Sequence, residues 1–126
     1  MADLITALSV AASGMEAQSQ RLRHVSENIA NTDTPGYRRK TISFREAVGG
    51  GEVMPGPVRL DRTALPRIND PNHPMADETG YYDGSNVDLV IEIADAREAQ
   101  RSYEANLRMF DQARQMSQSL FELLRR

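Results

Sequence analysis

The chain has 126 residues, a formal net charge of −3 and no cysteine, and 40% of its residues are hydrophobic. The missing cysteines exclude a disulfide scaffold and a thiolate metal site, and so small a net charge gives no reason to expect a nucleic-acid partner. The length fits one domain with a thin core.

A first long helix is predicted from residue 3 to residue 31. Apolar residues recur there at alternating steps of four and three, with Gln18 in one polar slot, which is the spacing of a helix-packing seam. The seam residues that we expect to pack against other helices are Leu4, Leu8, Ala11, Met15, Leu22, Val25 and Ile29. Two interpretations stay open: an ordinary core helix, and a helix shared with neighbouring chains, which we favour because the seam is narrow.

The start of the chain superficially resembles a signal peptide. Its first residues include Asp3 and neither Lys nor Arg, and the apolar run is short and interrupted by Thr6 and Ser9. We therefore interpret it as part of the helix. No apolar run approaches the roughly 20 residues that a transmembrane helix needs.

The segment from residue 26 to residue 40 is predicted to end this helix and redirect the chain. Asn31 suits a left-handed terminating position, Pro35 lacks a backbone donor, and Gly36 allows a positive φ in the turn. The predicted hinge residues are Asn28, Asn31, Thr34, Pro35, Gly36 and Tyr37.

Residues 41–85 are polar and rich in Gly and Pro, which predicts a small β-containing flap. Short strands are predicted at 40–45, 58–60 and 65–68, with turns at 49–51, 55–57 and 83–84. A second long helix is predicted from 86 to 126, capped by Asn86 or Asp88. Its expected packing residues are Tyr103, Leu107, Phe110, Leu120 and Leu124.

The predicted fold is mainly α: long N- and C-terminal helices pack as a coiled-coil-like pair, with a small irregular, β-containing central segment. We expect three parts, residues 1–35, 36–85 and 86–126, the first and last forming one structural domain.

No arrangement of residues predicts catalysis. His24 and His73 lie in different elements without partners at metal-ligand spacing, and the acidic loop with Asp70, Asp77 and Glu78 lacks the calcium-loop pattern. There is no nucleophile elbow, P-loop or dinucleotide fingerprint. We therefore expect no catalytic, cofactor-binding or metal site.

The segment SENIANTDTPGYRR resembles the N-terminal signature of the flagellar axial proteins, the family of rod, hook and hook-associated subunits. Its diagnostic part is Asn28-Ile29-Ala30-Asn31, followed after two residues by Thr34-Pro35-Gly36-Tyr37. Residues 100–106 are similar to that family's C-terminal helix motif. The length, and the loop at residues 69–74, resemble the short proximal-rod members.

This resemblance implies a structural subunit of the proximal rod of the bacterial flagellar basal body, which transmits torque from motor to hook through helix-mediated packing. Implied partners are copies of itself, other flagellar rod proteins and the flagellar type III export apparatus. The implied location is the rod in the periplasmic space, reached without a cleaved signal peptide. No cofactor, small-molecule substrate, nucleic acid or transmembrane segment is expected. The alternatives are another rod subunit of the same family, and a soluble helical-hairpin adaptor that binds a partner coiled coil.

Overall fold

The computed structural model describes residues 2–125. Two long helices, α1 (Ala2–Ala30) and α2 (Leu89–Arg125), flank a central segment of short strands. The strands are β1 (Lys40–Thr41), β2 (Phe44–Glu46), β3 (Val53–Pro55), β4 (Arg59–Leu60), β5 (Arg67–Asn69) and β6 (Tyr81–Asp83). The predicted fold class is confirmed: the two helices pack against each other, and the central segment is small and contains β-structure.

The two helices form an antiparallel pair. Asn28 contacts Glu92, Arg21 contacts Glu98, and Gly14 lies against Asn106. At 1.5 Å per residue, α1 is about 43 Å long and α2 about 55 Å. By this register, we infer that the last turn of α2 extends beyond the first turn of α1.

Small side chains line most of the interface between the helices. Its buried hydrophobic residues are Ala11, Ala17, Val25, Ala99 and Ala113. Gly14 is also buried, and a Cβ added to it would lie 2.7 Å from the side-chain oxygen of Asn106. The helices therefore approach closely but bury little apolar surface, as expected for a thin core.

Helix α1 ends at Ala30, before the Pro-Gly pair. The N–H of Asn31 donates to the carbonyls of Glu27 and Asn28 (3.1 and 3.2 Å), and the Asn31 side-chain amide donates to the Glu27 carbonyl (2.8 Å). The left-handed conformation predicted for Asn31 is wrong, because no non-glycine residue among residues 2–125 has a positive φ. The side chain of Asn31 instead bonds back to the last turn of the helix, where it gives the Glu27 carbonyl a second donor.

Helix α2 is capped by Asp88, one of the two predicted candidates. The Asp88 carboxylate accepts the N–H of Val90 (3.0 Å), the hydrogen bond expected of an N-cap residue. The second candidate, Asn86, uses its side chain elsewhere: its oxygen accepts the N–H of Arg39, and its amide donates to the Asp61 carbonyl. Asn86 therefore joins the central segment to the start of α2.

The central segment contains three antiparallel strand pairs, β1–β4, β2–β3 and β5–β6. The first two make one long hairpin with a break on each side, bridged by the Gly56 N–H donating to the Ser43 carbonyl (2.6 Å). The single strand predicted at 40–45 is thus split in two. Strands β3 and β6 were not predicted, because Pro55 and Gly84 are turn-forming residues; Pro55 is tolerated at the end of a short edge strand.

No helix within residues 2–125 is long and apolar enough to cross a membrane.

Candidate functional site

Asn28, a hinge-motif residue, lies at the centre of a buried polar cluster where α1 meets α2. Its side chain is fully buried. The amide nitrogen donates to the Lys40 carbonyl (3.0 Å) and to the Glu92 carboxylate (3.3 Å). The amide oxygen accepts the Lys40 N–H (2.8 Å) and the Tyr37 hydroxyl (2.9 Å). All four hydrogen-bonding positions of the amide are thus occupied, which a buried Asn requires.

Glu92 contributes a fully buried carboxylate to the same cluster. One oxygen accepts the Arg39 Nε–H at 2.6 Å and the other accepts the Asn28 amide. Burial lowers the pKa of the Arg39 guanidinium, but the hydrogen bonds and charges of Glu92 and Asp61 together outweigh burial, and the net shift is upward. Removal of Arg39 would leave the buried carboxylate of Glu92 without a cation, and an unpaired buried charge destabilises a protein by about 3–5 kcal/mol.

The cluster continues from Arg39 into the central segment. Arg39 Nη1 lies 3.3 Å from an Asp61 carboxylate oxygen, and the Arg39 carbonyl accepts the Asp61 N–H (2.8 Å). Bonds from the Thr63 hydroxyl and N–H, together with Arg39, lower the pKa of Asp61. The base of the long hairpin is therefore tied to α2 through Arg39.

Two hinge-segment side chains flank the cluster on its outer side. Lys40 Nζ lies 2.6 Å from a Glu27 carboxylate oxygen, and this hydrogen bond lowers the pKa of Glu27 and raises that of Lys40. The pKa of the Tyr37 hydroxyl is raised, chiefly by burial. The Lys40–Glu27 ion pair and the hydrogen bond from the Tyr37 hydroxyl to Asn28 connect the segment after the turn to α1.

The turn itself depends on Gly36. Its φ is +74°, which confirms the predicted positive value. The Gly36 N–H donates to the Asp83 carbonyl (3.0 Å), and the Thr34 hydroxyl donates to the Asn31 side chain (3.0 Å). Pro35 precedes Gly36 and lies beyond the helix end, so it restricts the turn and does not itself terminate α1.

The predicted packing residues of α1 differ in how far they are buried. Ala11 and Val25 are buried in the contact with α2, and Ile29 is exposed. The remaining four, Leu4, Leu8, Met15 and Leu22, are half-buried along the edge of that contact. The large side chains of the predicted seam are therefore only partly covered within one chain.

The predicted packing residues of α2 lie mainly outside the helix pair. Phe110 is half-buried, and the others, Tyr103, Leu107, Leu120 and Leu124, are exposed. Further large apolar side chains are exposed on the two helices, in addition to the expected packing residues: Ile5, Leu89, Val90, Ile91, Ile93, Met109, Met116, Phe121 and Leu123. We call the exposed apolar side chains of α2 the outer face of α2. Its extent is unusual for a single chain and is typical of an interaction surface.

Sequence reasoning missed Arg39, Asp61, Asn86 and Glu92 as one cluster. Glu92 had an available explanation as an acidic residue in the first turn of a helix, where the dipole favours it. The spacing of the sequence does indicate the burial of Glu92. Glu92 is in line with the small residues Ala99 and Ala113, which places its carboxylate on the packed face of α2.

The other titratable residues considered from the sequence have local structural roles. His73 stacks on Tyr82, with ring centroids 3.9 Å apart, and its Nδ1 accepts the Met75 N–H. Asp77 organises its own turn: bonds from Thr79, Tyr81 and Arg67 lower its pKa. Within residues 2–125, no group of three or more His, Asp or Glu side chains is arranged to hold a metal ion.

Two family models match the chain, one at each end. Residues 8–38 match the family described as "Flagella basal body rod protein", and residues 78–123 match the C-terminal family of "Flagellar basal body rod FlgEFG protein". The first match contains the hinge motif, and the second contains Glu92 and most of the outer face of α2.

Curated relatives align over nearly the whole chain. The chain is 45% identical to a flagellar basal-body rod protein FlgC of Agrobacterium fabrum, over 99% of this chain and 98% of that protein. It is 36% identical to the FlgC of Aquifex aeolicus over 97% and 98%, and 31% identical to that of Salmonella typhimurium over 90% and 92%. The chain belongs to the family of flagellar basal-body rod proteins. Within that family it is FlgC-like, which confirms the resemblance seen in the two end motifs.

Proposed function

We propose that this protein is a structural subunit of the proximal rod of the flagellar basal body, and that it transmits torque from motor to hook through helix packing. The observation that supports this most strongly is a division by side-chain size. The buried hydrophobic residues of the contact between the helices are small, whereas most large apolar residues of α2 are exposed. A subunit that folds with small residues and exposes large ones is built to bury them against neighbours.

The subunit-packing residues follow from this division. On α2 they are Tyr103, Leu107, Phe110, Leu120 and Leu124; on α1 they are the edge residues Leu4, Leu8, Met15, Leu22 and Ile29. Ala11 and Val25 act within the chain as well, because they are buried against α2. The neighbours are copies of this chain and other rod proteins.

The hinge residues have a geometric role in this proposal. Asn28 and Tyr37 fasten the returning chain to α1, while Asn31, Thr34, Pro35 and Gly36 form the turn between them. In this proposal the chain has three parts. Residues 1–35 supply a first helix with its hinge, residues 36–85 a central segment directed by the hinge, and residues 86–126 a second helix that completes the pair.

We also propose that the subunit leaves the cytoplasm through the flagellar type III apparatus, keeps its N-terminal residues and lies in the periplasmic part of the rod. The fold supports retention of these residues, because α1 contributes Ala11, Gly14, Ala17, Val25 and Asn28 to the helix pair. Cleavage within α1, as for a signal peptide, would remove part of that contact.

The proposed role needs no catalysis. The most buried polar groups, those of Asn28 and Glu92, are bonded to other protein groups and form one connected network. Such a network positions segments of the chain.

Deletion of the gene from its host, followed by complementation, tests the proposal. Wild-type protein should restore swimming and appear in purified basal bodies. Absence from basal bodies in cells that swim normally would contradict the proposal. Native mass spectrometry tests the alternative of a helical-hairpin adaptor, because an adaptor should form a stable, discrete oligomer, whereas a rod subunit should be a monomer that polymerises.

A further inference from the structure

The contact between α1 and α2 changes character along its length. Over most of it the buried hydrophobic residues are small, including Ala11 and Ala17 on α1 and Ala99 and Ala113 on α2. Apart from the contact of Gly14 with Asn106, such small side chains discriminate weakly between helix registers. Near the start of α2 the contact becomes polar, with fully buried Asn28 and Glu92 facing each other.

We propose that Asn28, Arg39 and Glu92 form a folding lock, a three-way contact that allows residues 37–63 to order only when α1 and α2 are paired in one register. Each member comes from a different segment: Asn28 from α1, Arg39 from the chain after the turn, and Glu92 from α2. The carboxylate of Glu92 joins the other two, at 2.6 Å to Arg39 and 3.3 Å to Asn28.

Each pair of segments is incomplete without the third. If α2 is absent, the guanidinium of Arg39 loses its shortest hydrogen bond and the amide of Asn28 loses one acceptor. If the chain after the turn is absent, the buried carboxylate of Glu92 loses its cation. Because a buried charge without its partner is strongly unfavourable, partly assembled clusters are disfavoured and the three segments order together.

The lock reaches the central segment through backbone bonds. The Lys40 N–H donates to Asn28, and the Asp61 N–H donates to the Arg39 carbonyl. Asn86 then connects the Arg39 N–H with the Asp61 and Thr63 carbonyls. Both strands at the base of the long hairpin are therefore held by residues next to the lock.

The lock is a property of the single chain and goes beyond the proposed role in the rod. Where several copies of α2 lie beside each α1, the small residues would permit several pairings. The polar contact accepts the one in which Glu92 lies level with Asn28. The central segment then adopts its final direction only when the correct pairing has formed.

Hydrogen exchange of the full chain, in a stabilising osmolyte, tests the lock with Glu92→Gln. This variant keeps the side-chain volume, removes the charge and brings a second amide beside that of Asn28. The matched control is Glu98→Gln, which alters an exposed carboxylate on the same helix that contacts Arg21. We expect Glu92→Gln to speed exchange of the Lys40 and Asp61 amides by roughly tenfold or more, while amides 105–115 of α2 change much less. The control should change neither group.

Arg39→Gln tests the same contact from the other side and should release the same two amides. The double variant should be little worse than the more damaging single variant, because both changes break one interaction. If Glu92→Gln fails to fold, the milder Arg39→Lys must still release Lys40 and Asp61 selectively. Uniform acceleration over both helices and the hairpin, or continued protection of Lys40 and Asp61, would overturn the proposal.

Discussion

The side-chain amide of Asn28 donates a hydrogen bond of 3.3 Å to the carboxylate of Glu92, 64 residues later in the chain, and both side chains are fully buried. This contact joins the conspicuous N-terminal motif to the first turns of the C-terminal helix. It explains why the motif includes an Asn on a helix face that otherwise packs with small apolar residues. The motif is thus a structural connection between both ends of the chain as well as a turn.

Gly36 provides the first prediction, because its requirement is purely conformational. Its φ is +74°, and a Cβ added there would meet no atom within 4 Å. Gly36→Val should therefore destabilise the subunit by about 1–3 kcal/mol through backbone strain alone. Gly36→Asn should cost less, since Asn tolerates this region.

Denaturant unfolding of the purified subunit measures the two costs, and the amount of each variant in basal bodies measures assembly. We expect both variants to be exported, with Gly36→Val incorporated less than Gly36→Asn. Equal stability of the two variants would show that the turn does not depend on a positive φ.

Gly14 and Asn106 provide a second prediction about the close approach of the helices. A Cβ at Gly14 would lie 2.7 Å from the Asn106 side-chain oxygen. The overlapping atoms are the end of the flexible Asn106 side chain, which must move aside, so the overlap should offset part or all of the roughly 1 kcal/mol that Ala gains over Gly in a helix. Gly14→Ala should therefore stabilise the subunit by clearly less than about 1 kcal/mol.

A second substitution, Asn106→Ala, should remove the clash. The Asn106 amide donates only to the Ser102 carbonyl of its own helix, so its loss should be mild. The double variant should then be more stable than Gly14→Ala alone, which thermal unfolding measures. If Gly14→Ala alone stabilises the protein by the full roughly 1 kcal/mol, the helices are farther apart than described.

The sequence was sufficient to predict the two helices, the positive φ of Gly36 and two candidates for the cap of α2, Asn86 and Asp88, because each depends on residues within a few positions. It could not predict the lock, because the burial of Glu92 depends on Arg39, 53 residues away. It also could not show which apolar residues are covered within the chain. Periodicity identifies a face that needs a partner, but Tyr103 and Leu107 are exposed in one subunit, so their packing role remains a prediction.

The ion pair of Glu27 and Lys40 predicts how stability depends on pH. Its hydrogen bond lowers the pKa of Glu27 below 4.5 in the folded chain. The unfolded chain therefore binds more protons in that range, so this contribution to stability is complete above pH 4.5 and is lost as pH falls through the folded pKa. The pKa of Lys40 is raised above 10.5, so its contribution is lost only as pH rises beyond that value.

Helicity measured by circular dichroism between pH 2 and 7 tests this pair. Glu27→Gln should lower stability at pH 7 and reduce the loss on acidification, whereas Glu16→Gln, an exposed change on the same helix, should do neither. Identical acid profiles for wild type and Glu27→Gln would show that the pair is not formed in solution.

The central claim is that the outer face of α2 mediates assembly and is dispensable for the fold of one subunit. Leu120→Asp tests it most directly, because Leu120 is 40% exposed and lies far from the polar cluster. Gln118→Asp is the control, an exposed residue two positions away that points to the opposite side of the helix. Measurement of subunit stability, secreted protein and basal-body-bound protein separates folding, export and incorporation. We predict that Leu120→Asp changes subunit stability by about 0.5 kcal/mol or less and leaves export intact, but lowers incorporation by roughly tenfold or more, while Gln118→Asp behaves as wild type. Incorporation of Leu120→Asp at the wild-type level would contradict the claim.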